Sequence, residues 1–259
     1  MEILEKNIDT LGGQIYVKSW KPSGSDSKSP IILLHDSLGC VEMWRQFPQA
    51  LAEKLGRQII AYDRLGFGRS TKRDENPSVH FVSEEAENHF QRLLSALKIE
   101  RFILLGHSVG GAMAVIIAGH FEAQCEAIIT ESAQAFVEDR TKEGITKAKE
   151  KFSDPAMREK LEKYHGDKTN WVLSAWIDVW LSNEFSTWSL ELDLPKVKCP
   201  SLVIHGELDE YGSSRFPDMI SSLVSGPSKK VIVTECGHVP HREKQVLILN
   251  YILDFIEKI

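Results

Sequence analysis

Cysteine is scarce in this chain of 259 residues. There are four, at positions 40, 125, 199 and 236, and no two form a C-x-x-C pair. That spacing supplies neither a disulfide framework nor the ligand pattern of a structural zinc site, so reduced thiols in a cytoplasm and no bound metal are expected. Positive charge is not in excess either. Lysine and arginine total 31 against 37 acids, a formal charge of −6, which argues against nucleic acid or an anionic membrane surface as the main partner. No apolar run approaches the ~20 residues of a membrane-crossing helix. The opening "MEILEKNIDTLGGQIYVKSW" has no basic segment followed by an apolar one, so no secretory signal is expected. No G-x-G-x-x-G follows the first buried strand, and a nucleotide cofactor is therefore not expected. There is also no low-complexity linker and no internal repeat.

What remains is an ordinary globular composition, 42% hydrophobic and 26% charged, in a chain long enough to bury a large core. "EILEKNID" and "GQIYVKSW" alternate apolar and polar residues around "TLGG", the pattern of a β-hairpin with one buried face. "KPSGSDSKSP" reads as a polar turn. Four short apolar runs, "IILLH", "RQIIAYD", "RFILLG" and "CEAIITE", then read as strands covered on both faces. Helical patterns separate them: "MWRQFPQALAEKLG", ending on Gly56; "SEEAENHFQRLLSALKI", with Ser83 as cap and Phe90, Leu93, Leu94 and Leu97 on one face; and "VGGAMAVIIAGHF". "SLVIHG", "KKVIVTE" and a closing amphipathic helix complete the series. Alternating strands and helices imply an α/β fold, a mostly parallel central sheet flanked by helices. The rhythm breaks over residues 132–194, which read as helices without a strand. The expected organisation is a core of residues 1–131 and 195–259 with a helical cap, 132–194, inserted in it.

The chemistry concentrates around "GHSVG", residues 106–110. A serine between a strand and a helix is forced onto a sharp turn. Glycines at 106 and 110 remove side chains that would clash there, and the helix beginning at Val109 aims free N–H groups and its positive dipole end at the site. Ser108 is thus a candidate nucleophile. A hydroxyl needs a base, and His238 in "ECGHVPHRE" follows the last strand, with His241 as runner-up. His35 and His205 end strands and read as loop-orienting. His107 adjoins the serine, but neighbours on a tight turn point apart. His80, His89, His120 and His165 read as surface or ordinary helix residues. The base needs an acid to hold its tautomer. Asp209 in "IHGELDEYG" is the first choice and Glu131 the alternative.

The order Ser108, Asp209, His238 matches that of the α/β-hydrolases. Over essentially its full length the chain resembles that superfamily, in the branch of small capped serine esterases, enol-lactone hydrolases and carbon–carbon bond hydrolases. The resemblance is carried by "LLHDSLGCVEMW", "YDRLGFGRS", "LLGHSVGG", "VIHGELDEYG" and "CGHVPHRE". It implies that the backbone N–H groups of Ser37 and Val109 form an oxyanion hole. It also implies that Asp63, Gly66 and Gly68 are loop architecture. Where the family usually has His-Gly, this chain has His35-Asp36, so an aspartate must meet a backbone constraint that glycine relieves. Haloalkane dehalogenases and epoxide hydrolases of this fold carry aspartate where Ser108 stands, so neither activity is expected.

Four of the six tryptophans (171, 176, 180 and 188) lie in the inserted segment. Trp176 and Trp180 share a helix face and, with Asp36, are candidates for the substrate pocket. The expectation is a cofactor-independent serine hydrolase acting on a small carboxylic ester or lactone, as monomer or homodimer. The alternatives are a carbon–carbon hydrolase or lyase on the same residues, or a ligand receptor that turns over slowly.

Overall fold

The computed structural model describes residues 1–25 and 27–259. The polar turn expected over residues 21–30 includes residue 26, which lies outside the described residues. The hairpin forms as β1 (Glu2–Thr10) and β2 (Gly13–Lys21), paired antiparallel. Its buried face belongs to β2. On β1 only Ile8 is buried, because β1 is the edge of the sheet.

The four apolar runs become β3 (Ile31–Leu34), β4 (Ile59–Tyr62), β5 (Phe102–His107) and β6 (Cys125–Glu131). Of these, β3, β4 and β5 are buried at every residue, as strands sandwiched between helices must be. The helix α1 (Phe47–Leu55) joins β3 to β4 and ends at Gly56 in the left-handed conformation. Between β4 and β5 the chain runs as α2 (Phe81–Glu84), a π-helical stretch over Glu85–Phe90, and α3 (Gln91–Leu97). Ser83 is therefore not the cap. It lies inside the helix, and its hydroxyl donates back to the His80 carbonyl, a local bond that serine makes as readily within a helix as before one.

The helix α4 (Val109–His120) connects β5 to β6. Apolar nearly all round, it is buried rather than lying on the surface. Three helices then intervene before the sheet resumes: α5 (Asp139–Lys151), α6 (Pro155–His165) and α7 (Thr169–Trp180). The sheet is completed by β7 (Ser201–Gly206) and β8 (Ser228–Val233). Between them lies α8 (Arg215–Leu223), which the sequence reading left out. The chain closes with α9 (Pro240–Glu243) and α10 (Gln245–Ile256).

The eight strands run in the order β1-β2-β4-β3-β5-β6-β7-β8, parallel from β4 to β8. Two apolar clusters fill the two faces. One centres on α4 and includes Leu104, Val115 and Trp180; the other joins Leu33 and Leu105 to Leu51 of α1 and Ile252 of α10. From β3 the chain turns one way to β4 and the other way to β5, so the strand order reverses between β3 and β5. The loops leaving their carboxyl ends diverge over a crevice there, the usual binding place in an open α/β sheet.

Candidate active site

Ser108 sits between β5 and α4 with φ 57° and ψ −124°. This is an unfavourable conformation for a residue with a side chain, and close packing enforces it. A Cβ on Gly106 would meet the Gly110 carbonyl, and one on Gly110 would meet the carbonyl oxygen of Leu34. The two glycines thus let the turn close against β3. The Ser108 N–H donates to the Glu131 carbonyl at 2.9 Å, fixing the turn to β6.

His238 follows β8 and Asp209 follows β7. The His238 ring offers Nδ1 to both carboxylate oxygens of Asp209, at 2.9 and 2.8 Å. Asp209 also accepts from the backbone N–H groups of Tyr211 and Gly212 at 2.8 and 3.2 Å. Burial opposes ionisation of Asp209, but the charge and hydrogen bond of His238 hold its carboxyl below the usual range. The ionised acid fixes Nδ1 of His238 as the protonated nitrogen and leaves Nε2 available as a base. The runner-up residues form a second pair. His241 Nδ1 meets Glu131 Oε2 at 2.5 Å, so Glu131 is not the partner of His238.

Ser108 and His238 line one cavity of about 170 Å³ together with Asp36 and Ser37. Gln134 and Tyr211 complete its polar side, while Leu38, Met43, Ile145 and Trp176 form its apolar wall. Among the described residues no hydrogen bond joins Ser108 to His238. The Ser108 hydroxyl instead donates to Gln134 Oε1 at 3.0 Å, so a rotation about its Cα–Cβ bond must precede proton transfer. Val109 opens α4, and its N–H is among the first-turn donors that have no acceptor within the helix. Trp180 is not part of this wall. It is buried against Phe185 and Trp188, with ring centroids 4.9 and 5.7 Å away.

Asp36 meets its backbone constraint without positive φ; the described non-glycine residues with positive φ are Arg45, Lys98, Ser108, Ser132 and Glu235. Its carbonyl accepts from Arg64 at 2.7 Å and from His35 Nδ1 at 2.8 Å, and its Oδ1 accepts from the Leu38 N–H at 2.9 Å. Burial pushes His35 well below the usual histidine value, so its neutral ring donates at Nδ1 and accepts the Arg64 N–H at Nε2. Asp63 is architectural. It accepts the backbone N–H groups of Val41 and Arg69, and burial pushes its carboxyl up to about 6.

Sequence reasoning missed four residues. Gln134 lies in no motif, and Tyr211, inside "VIHGELDEYG", has neither a residue type nor a spacing that marks it for catalysis. The Tyr211 ring lies 4.8 Å from that of His238. His165 is buried rather than superficial; it accepts the Gly68 N–H at 2.9 Å and donates to the Leu38 carbonyl at 2.9 Å, tying α6 to the loops at the site. His107 is buried and bonded on both nitrogens. His107, Glu131 and His241 also bring one potential metal-ligating atom each within 4.8 Å of one another.

The chain is similar to several known proteins. Proline iminopeptidase of Lactobacillus helveticus is 34% identical over 117 residues, 45% of this chain and 38% of its own. Human serine hydrolase BPHL is 29% identical over 189 residues, 71% of this chain and 64% of its own. The chain thus spans about two fifths of the first and under two thirds of the second. The enol-lactonase from Burkholderia xenovorans LB400 superposes with a TM-score of 0.74 at 17% identity, covering 97% of this chain and all of that one. No helix among the described residues is long and apolar enough to cross a membrane. The model for the alpha/beta hydrolase fold matches residues 29–170, a span that takes in the β3 loop, the serine turn and the helices that follow, and with the sheet order and the crevice loops described above it makes this chain a member of the α/β-hydrolase family.

Proposed function

We propose that the protein is a cofactor-independent serine hydrolase of small carboxylic esters or lactones. Ser108 attacks the carbonyl, and His238 Nε2 takes its proton while Asp209 holds Nδ1. The backbone N–H groups of Ser37 and Val109 receive the oxyanion, at about 3–4 kcal/mol of barrier per donor. Water activated by His238 then releases the acid. The carrying observation is the cavity that joins Ser108 and His238 while Asp209 holds His238 from behind.

The walls favour a neutral, compact substrate. About 170 Å³ is close to a cavity that accepts benzene. No arginine or lysine is among the described lining residues of that cavity; Arg140, Lys147 and Lys151 line an adjoining space of about 630 Å³ that shares Leu38, Trp176 and Tyr211 with it. A second reading, peptidase action, comes from the relatives named proline iminopeptidase. A free amino terminus would need an unengaged carboxylate, and the one in the wall, Asp36, is already bonded through both oxygens, to the Leu38 N–H and to His107. The test is hydrolysis of 4-nitrophenyl esters from acetate to decanoate beside proline 4-nitroanilide, with wild type and Ser108→Ala. Ester cleavage that falls with chain length and vanishes in Ser108→Ala is expected. Cleavage of the anilide alone would overturn the ester reading.

A further inference from the structure

The buried side of the serine turn holds charge that the proposed reaction does not use. The ring of His107 reaches away from the cavity. Its Nδ1 lies 3.2 Å from Asp36 Oδ2, and its Nε2 lies 2.8 Å from the main-chain carbonyl oxygen of His238. An ionised carboxylate and a carbonyl can only accept. Neutral imidazole has one N–H and satisfies one of them, whereas imidazolium satisfies both.

The surroundings support that charge from several elements. Asp36 comes from the loop after β3 and Glu131 from the end of β6. Glu131 Oε1 is buried with no partner, and its Oε2 takes the Nδ1 proton of His241 on α9. Burial pushes His241 below the usual histidine value, so that ring is neutral and leaves the anion uncompensated. The rings of His241 and His238 each stand 5.1 Å from His107, and Trp44 stands 6.3 Å away. Burial works against a charged His107, but Asp36, then Glu131 and the His238 carbonyl, outweigh it and raise its pKa. Burial likewise opposes ionisation of Asp36, yet the His107 bond and charge, with His35 and Arg242, hold its carboxyl well below the usual range. A metal at His107, Glu131 and His241 would have to break one of the two His107 bonds.

We propose that His107 is a standing imidazolium that clamps the oxyanion loop, through Asp36, to the base loop, through the His238 carbonyl. One ring then sets the spacing of three segments, since Ser108 is its neighbour in the chain. Asp36 is the chain's own counter-ion for this device. The kinetic consequences rest on the proposed roles of Ser108 and His238; the charge state does not.

The experiment is ¹⁵N NMR of histidine-labelled full-length protein between pH 6 and 9. Both His107 ring nitrogens are expected to be protonated at pH 7.5 in the wild type, and the ring to become neutral in Asp36→Asn. One bare ring nitrogen in the wild type at pH 7.5 would overturn the clamp. The kinetic arm uses His107→Gln and Asp36→Asn. Each is expected to lower kcat by about tenfold to a hundredfold, in His107→Gln with KM little changed, and the double variant to lose no more kcat than the worse single one. The His238 ring also faces Asp209 and Tyr211, and His205 stands 3.7 Å from the Asp209 carboxylate; both variants leave these groups in place. Losses that multiply would overturn the clamp. An intact wild-type imidazolium in a protein that cleaves no ester overturns the functional reading alone.

Discussion

Replacing Asp209 by asparagine isolates the acid. The carboxylate is 1% exposed and makes four bonds, two to His238 Nδ1 and one each to the Tyr211 and Gly212 N–H groups. In Asp209→Asn the amide oxygen can keep the two backbone bonds at Oδ1. The NH₂ group then stands where Oδ2 stood, facing His238 Nδ1. Two donors cannot share that contact, so His238 moves its proton to Nε2, the atom that must accept from Ser108. The expected loss is about 10⁴ in kcat, or about 5 kcal/mol of barrier, as for a serine hydrolase held in the wrong tautomer. Glu131→Gln is the control, because Glu131 bonds His241 and not His238. It removes a charge from a buried pair, so about 2–4 kcal/mol of stability is expected to go while kcat stays within about tenfold. The assay is steady-state hydrolysis of 4-nitrophenyl acetate beside urea unfolding of each variant. A larger kcat loss in Glu131→Gln than in Asp209→Asn would refute the assignment.

Three further outcomes are expected. Gly110→Ala places a Cβ against the Leu34 carbonyl and should lower stability by at least about 1–3 kcal/mol, seen as a lower urea midpoint; an unchanged midpoint would contradict the close packing of the turn. Trp176→Ala should change KM for aryl esters because Trp176 lines the cavity. Trp180→Ala, at a residue 1% exposed, should instead cost about 3–5 kcal/mol of stability with KM little changed, and reversed effects would contradict the lining. Acid should destabilise the protein through Asp36, Glu131 and Asp209, whose depressed folded values make the unfolded chain bind more protons. Their contribution is present above about pH 4 and lost as pH falls through the folded values, so the urea midpoint should drop between pH 5 and pH 3; a constant midpoint would contradict it.

The sheet was legible because β3, β4 and β5 are runs of apolar residues with helices of clear period between them, and burial on both faces demands such runs. The exposed edges were less so. On β1 the alternation suggests a buried face that an edge strand does not have, and α8 is nine residues with a proline in its first turn. Ser108, His238 and Asp209 could be picked out because each follows a strand at the same end of the sheet. Gln134, Tyr211 and the second role of His107 could not, since their meaning lies in contacts across 26 to 131 residues of chain. The pairing of His241 with Glu131 was hidden likewise. Two histidines and two acids sit at neighbouring strand ends, and which acid meets which ring is visible only in the folded chain.

The proposed reaction depends on Ser108 as the nucleophile. A fluorophosphonate probe followed by peptide mass spectrometry tests it most directly. One adduct is expected, on the Ser108 hydroxyl, formed in the wild type, much slower in Asp209→Asn and absent in Ser108→Ala. An unlabelled wild type, or an adduct on another residue that persists in Ser108→Ala, would contradict it.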